Sequence, residues 1–128
     1  MIILIDTSTN ECKLAIVNGD IRQDYSWQAD RRLAKELLGY LRDKLTESNG
    51  AFSDLTGIGI MQGPGSFTGL RIGMAVMNTL AESLSIPIVG TTGTNWQQIA
   101  LQRLSDGEND RIVLPDYGAE AHITKPRK

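Results

Sequence analysis

The hydrophobic pattern opens with Ile2 to Ile5, an apolar run without polar alternation, which predicts a short strand covered on both faces. Asp6-Thr7-Ser8-Thr9-Asn10 ends it with turn chemistry. Lys13 to Val17 reads as a second strand, Asn18-Gly19-Asp20 as a hairpin turn, and the alternating stretch Ile21 to Trp27 as a third strand. Asp30 is placed to cap a helix reaching about Glu47. Its apolar residues Leu33, Ala34, Leu37, Leu38, Leu41 and Leu45 follow the 3.6-residue period, and Ser48-Asn49-Gly50 stops it. Gly57 to Met61 predicts a buried fourth strand that runs directly into Gln62-Gly63-Pro64-Gly65-Ser66. A second helix follows from about Phe67 to Leu84, then a fifth strand, Ile88 to Gly90, and a third helix from about Asn95 to Leu104. Beyond it come a polar loop, Asp106 to Asp110, the apolar Ile112-Val113-Leu114, and the basic Lys125-Pro126-Arg127-Lys128.

The order βββαβαβα is a meander followed by crossover units. It predicts an α/β fold: one mixed five-stranded sheet flanked by helices, the ribonuclease-H-like single lobe from which actin-like ATPases and hexokinase-like proteins are built. Residues 1–104 form the lobe on this reading, and 105–128 a loop and C-terminal tail.

Composition narrows the function classes. At 128 residues, with 41% hydrophobic and 22% charged positions, the chain is an ordinary single globular domain. A net charge of −2 gives no reason to expect broad affinity for nucleic acid or membranes. The single cysteine, Cys12, forms no intrachain disulfide and fits a reducing compartment. The opening apolar run stops at Asp6, too short for a signal peptide or a membrane span, so a cytoplasmic chain is expected.

The glycine-rich passage from Gly63 to Gly73 is the main candidate for chemistry. A strand, a glycine loop and a helix start can present backbone N–H groups to an anion. The P-loop pattern fails, because Leu70 and Arg71 follow Gly69 where a lysine is required. Gly63, Gly65 and Gly69 miss the dinucleotide spacing by one residue. A nucleophile elbow fails too, and Ser66 has only His122 to serve as a base. Two readings stand: a binding turn, or a tight turn with Ser66 capping the helix. Asp6, Thr7 and Ser8 stand equally between a phosphate-side role and a turn that caps the first strand. Zinc needs three or four N or S ligands, and His122 and Cys12 are the sole residues of that kind, so no metal site is expected.

The second helix points elsewhere. Gly69 and Gly73 lie four apart on one ridge, where another backbone can approach, although each costs about 1 kcal/mol against alanine. Leu70, Met74, Met77, Leu80, Ala81 and Leu84 make one apolar face; Gly69, Ile72, Gly73 and Val76 make a second. The sheet can cover one. The other is expected to meet the first helix and a partner chain, the alternative being that the first and third helices cover it completely.

Gly63-Pro64-Gly65-Ser66-Phe67-Thr68-Gly69-Leu70-Arg71-Ile72-Gly73, with Ile3-Leu4-Ile5-Asp6-Thr7-Ser8-Thr9 upstream, resembles the TsaB (YeaZ) family. The similarity continues through Arg32 to Leu38 and Ile86 to Gly90, covering about residues 1–104. The resemblance implies an actin-like ATPase fold in a non-catalytic subunit that binds no cofactor of its own. It implies pairing with a TsaD-type subunit, within an assembly that includes a TsaE-type ATPase and transfers a threonylcarbamoyl group to the tRNA adenosine beside the anticodon. The chain would then meet tRNA only indirectly, with a homodimer on the same helix face, or a small nucleotide-dependent enzyme, as the alternatives. Relative to the family the chain is expected to lack most of a second lobe, leaving Asp6, Thr7, Ser8, Gly63, Gly65 and Ser66 as a vestigial nucleotide side. The expected partner interface is Leu33 and Leu37 of the first helix with Gly69, Leu70, Gly73, Met74 and Met77 of the second. A larger side chain at Gly73 is expected to block pairing without unfolding the chain.

Overall fold

The computed structural model describes residues 1–117. Five strands, β1 (Ile2–Asp6), β2 (Glu11–Asn18), β3 (Ile21–Gln28), β4 (Gly57–Met61) and β5 (Ile88–Thr91), form one sheet in the order β3-β2-β1-β4-β5. β1, β2 and β3 pair antiparallel, while β1–β4 and β4–β5 are parallel. The α/β ribonuclease-H-like architecture predicted from the pattern is the one observed. Helices α1 (Leu33–Glu47) and α2 (Phe67–Leu84) cover one face of the sheet, and α3 (Trp96–Ser105) the other.

The central strands carry no polar alternation because both their faces are buried. In β1, Ile3 and Ile5 point toward α1 and α2 while Leu4 points toward α3. Register extends each layer across the sheet: Ile3 lies beside Ile16 and Ile58, and Leu4 beside Ala15 and Gly59. Gly59 is small because a Cβ there would stand 2.8 Å from both Ala100 Cβ and Leu4 Cδ2, so α3 settles directly on the strand.

Helix α1 departs from its predicted start. Asp30 does not cap it: this residue has φ 49° and accepts a hydrogen bond from Gln28 Nε2 at 3.1 Å. A single 3₁₀ turn, Asp30–Arg32, precedes the α-helix. Leu33, Leu37, Leu41 and Leu45 form its buried stripe. Its flank is tied to β3 by aromatic and cationic contacts: Trp27 stacks on Tyr40 at 4.7 Å, Arg32 lies over Trp27, and Lys44 over Tyr40 and Tyr25.

Helix α2 begins as the sequence predicts. Ser66 caps it, its Oγ accepting from the Gly69 N–H at 3.2 Å. Its three-sided burial comes from the sheet, from α1 and from the segment after α3; α3 itself lies across the sheet. On that third side Asn78 binds the Val113 backbone twice, donating to its carbonyl at 3.0 Å and accepting from its N–H at 2.9 Å. Val113 is buried, and Tyr117 stacks on Phe67 with centroids 4.8 Å apart. Residues 109–117 thus strap the outer flank of α2. Their start also closes the β5 edge. Ile88 N–H donates to Asn109 Oδ1, Asp110 N–H to Ile88 O, and Gly90 N–H to Asp110 Oδ2. Arg103 donates to Gly90 O and to both oxygens of Asp110.

The closest approach in the fold joins α2 to the end of β1. Thr7 is fully buried, and its hydroxyl donates to Gly69 O at 2.8 Å. A Cβ on Gly69 would overlap Thr7 O, and one on Gly73 would overlap Thr7 Oγ1. Gly73→Ala should therefore lower the unfolding free energy by about 1–2 kcal/mol, overpacking outweighing the roughly 1 kcal/mol gain in helix propensity. Paired with Thr7→Ala in a urea-denaturation cycle it should show favourable coupling above about 0.5 kcal/mol; a stabilised Gly73→Ala chain would contradict this packing. Asp110 supplies a second prediction. Burial pushes its carboxyl up, but the hydrogen bonds from Arg103 and the Gly90 N–H and the Arg103 charge outweigh that and hold it below the ordinary range. Its contribution is present above the unfolded-chain pKa and is lost as pH falls through the lowered folded value. Asp110→Asn should cost about 1 kcal/mol at pH 7 and flatten the acid limb of the stability curve below about pH 4, read by thermal melts.

Candidate functional site

The glycine turn and the end of β1 meet, as the sequence places them, but they meet to fasten each other. Ser8 N–H donates to Asp6 Oδ1 at 2.8 Å, an Asx turn. Ser66 N–H donates to Ser8 O at 2.7 Å, and a Cβ on Gly65 would stand 2.5 Å from Ser8 Cβ and O. Gly63 has φ 124°, and a Cβ there would overlap Asp116 O in the strap. Thr7 Oγ1 donates to Gly69 O and Ser66 Oγ accepts from the Gly69 N–H, while Ser66 and Thr68 stay exposed in the wall of a neighbouring cleft. The site is a lock between strand and helix.

Other reactive groups are equally committed. Burial, and then the nearby charge of Asp6, push the Cys12 thiol up to about 12, so it carries no thiolate at neutral pH. Among the described residues no three His, Cys, Asp or Glu side chains converge on a metal position. His122 and Lys125 to Lys128 lie outside the described residues. No helix among the described residues is long and apolar enough to cross a membrane.

The side chains expected at a partner interface need correction. Leu33, Leu37, Leu70, Met74 and Met77 all lie in the chain's own core, the most accessible of them 5% exposed. Gly73 is buried and half-buried Gly69 presses on the same residue, Thr7. The physical reason is the direction of the two-glycine ridge: it faces the loop after β1, where the sequence reading aimed it outward. A leucine at Gly73 would disrupt the lock and with it the monomer.

The outward surface of the same helix pair is a neighbouring set that the sequence reading passed over. On α2 it carries Thr68, Arg71, Ile72, Ala75 and Thr79, and on α1 Ala34, Lys35 and Leu38. Leu38 is 49% exposed although it lies in the apolar stripe of the sequence. Ile72 and Val76 are half-buried along the seam where the helices touch. A cleft of about 790 Å³ opens at the N-terminal end of this seam, lined by Thr9, Asn10, Arg31, Leu33, Thr68 and Ile72 among others. The signal that could have separated inner from outer positions is the phase of the helix. Leu70, Gly73, Met74, Met77 and Ala81 share one side, and Ile72, Ala75 and Thr79 fall opposite.

Comparison with known proteins places this lobe. Residues 27–102 match the family model described as TsaD: tRNA N6-adenosine threonylcarbamoyltransferase. The tRNA threonylcarbamoyladenosine biosynthesis protein TsaB of Escherichia coli K12 is 32% identical over 91 residues, covering 71% of this chain and 39% of the relative. TsaB of Bacillus subtilis 168 is 34% identical over 88 residues, covering 68% and 38%. A crystal structure described as an uncharacterized protein with similarity to peptidase YEAZ, from Pseudomonas aeruginosa, superposes with a TM-score of 0.67 at 33% identity, over 71% of this chain and 42% of that one. The chain spans about two-fifths of the curated relatives it matches. With its fold, its glycine turn and these matches in agreement, the chain belongs to the TsaB (YeaZ) family, whose lobe is shared with the TsaD-type transferases.

Proposed function

We propose that the chain acts in threonylcarbamoyladenosine formation on tRNA as a scaffold subunit without a catalytic centre of its own, pairing with a TsaD-type subunit. The observation that carries this reading is the outward α1–α2 seam, where Leu38, Ile72 and Ala75 keep apolar surface at least partly open. Its relatives named TsaB are described as threonylcarbamoyladenosine biosynthesis proteins, and the family model that fits the same helices is named for the transferase. A lobe shared by two proteins of one pathway offers like helix pairs to each other, and two such faces can supply the roughly 800 Å² per partner of a standard interface. The polar groups of Asp6, Thr7, Ser8 and Ser66 are engaged inside the chain, which fits a subunit that leaves nucleotide chemistry to others. A TsaE-type ATPase belongs to this assembly in the same reading, and tRNA is reached through the partner.

The reading is tested with Leu38→Ser combined with Ala75→Gln, both at exposed positions. The double variant should melt within a few degrees of the parent yet bind a TsaD-type subunit at least about tenfold more weakly, by calorimetry. In a strain depleted of the native protein, tRNA should lose threonylcarbamoyladenosine and regain it with the parent chain far better than with the variant. Full complementation by a variant that no longer pairs would exclude the scaffold role.

A further inference from the structure

The α1–α2 seam is electrically lopsided. Within α1 and the turn before it most charges close on one another: Arg32 with Glu36 at 3.7 Å, Arg42 with Asp43 at 3.2 Å, and Lys44 with Glu47 at 2.9 Å. Arg31 and Lys35 are exposed and pair with no carboxylate among the described residues. On α2 the guanidinium of Arg71 lies 5.1 Å over the Phe67 ring and pairs with no carboxylate among the described residues. Glu82, the single carboxylate of α2, stands eleven residues further on, about 16 Å along the helix axis. Both helices run back from the sheet's carboxyl end in parallel crossovers, so all three free cations gather at one end of the seam. The 790 Å³ cleft opens at that end, with Arg31, Arg32 and one carboxylate, Asp30, in its wall and Leu33 and Ile72 as apolar lining.

We infer that the surface docking on this seam carries a cluster of carboxylates opposite Arg31, Lys35 and Arg71, and that these cations make the seam favour such a partner over a second copy of the chain. The inference rests on the pairing reading above and adds to it the chemistry of the partner's face. Two copies set seam to seam would bring Arg31, Lys35 and Arg71 of each against Asp30 and Glu82 of each, an excess of cations among the described residues. Such like charges gain on being separated, over a screening length of about 8 Å at physiological salt. An acidic partner instead neutralises cations that have no carboxylate partner among the described residues, and like-charge juxtaposition is a recognised means of rejecting wrong partners. The apolar positions Leu38, Ile72 and Ala75 supply contact area, and the charged end sets register and orientation.

The test uses the full chain and a TsaD-type subunit from the same genome. Affinity is measured at 50 and 400 mM KCl for the parent and for Arg31→Glu/Lys35→Glu/Arg71→Glu, with thermal melts to confirm that the variant is folded. The parent should weaken about tenfold across this salt range, and the variant should bind at least about thirtyfold more weakly at low salt, with its salt dependence lost or inverted. Carbodiimide coupling of the complex should join Lys35 directly to an Asp or Glu of the partner, identified by mass spectrometry. Pairing that ignores both salt and the triple substitution would overturn the charge assignment and leave the pairing reading standing. A parent chain that does not pair at any salt overturns both. Self-association of the parent at low salt as tight as its pairing with the TsaD-type subunit would also overturn the proposed preference.

Discussion

The contact between Thr7 and the Gly69–Gly73 ridge of α2 is the constraint on which the rest of the structure depends. It brings the end of the central strand and the first turns of the longest helix closer than any pair of side chains would allow. One hydrogen bond, from the Thr7 side-chain hydroxyl to Gly69 O, joins the loop to the helix backbone there. Because the approach removes space for a Cβ at both positions, it requires glycine twice inside a helix, at a propensity cost that only tertiary packing can offset. It also settles the fate of the loop after β1. A turn pressed against Gly65, Gly69 and Gly73 has the Thr7 hydroxyl turned inward and the Ser8 carbonyl bound to the Ser66 N–H, so it fastens the start of the helix.

Once α2 is anchored at its start, its other sides are determined in turn. The sheet covers Leu70, Met74 and Met77, α1 covers the flank of Ile72 and Val76, and the strap covers the flank of Asn78. The strap works by side-chain amides and carboxylates in place of a strand ladder: Asn109 and Asp110 satisfy the β5 backbone, and Asn78 satisfies the strap backbone. An exposed edge strand is thereby closed without a sixth strand. What remains open on this side of the molecule is the seam between α1 and α2, and its openness follows from how completely everything around it is covered.

The fold was largely legible in the sequence, since β4 and α2 have the predicted limits and the other elements shift by a few residues at most. Period and turn chemistry suffice where burial is two-sided or one-striped. They fail at Asp30, whose residue type suits a cap but whose positive φ belongs to the turn before the helix. The strap was invisible as structure because its bonds come from single Asn and Asp side chains with no period. The candidate interface was legible as a pair of helices and misread in phase. A small-residue ridge announces that some backbone comes close, and nothing in spacing says whether that backbone belongs to a partner or to the chain's own loop, 62 residues away in sequence. The burial of Leu70, Met74 and Met77 answers it: positions facing the ridge are occupied at home.

That answer changes what kind of recognition the lobe can perform. The stretch matched by the transferase family model, residues 27–102, contains α1, β4, α2, β5 and all but the last turn of α3, so it includes both walls of the seam. The other half of the fastening, Thr7 and Ser8, lies before that stretch, and the outward positions of both helices are ones that no core contact of this chain constrains. Shape complementarity between like lobes therefore comes from the fold, while discrimination between self and relative must come from the exposed residues. On this chain those residues are few apolar contacts and, at one end, Arg31, Lys35 and Arg71, which pair with no carboxylate among the described residues. Apolar contacts of this modest size do not distinguish one helix pair from another, whereas cations without counterions do, because their energy changes sign with the partner's charge. The same lock thus holds the α1–α2 seam at a fixed angle to the sheet.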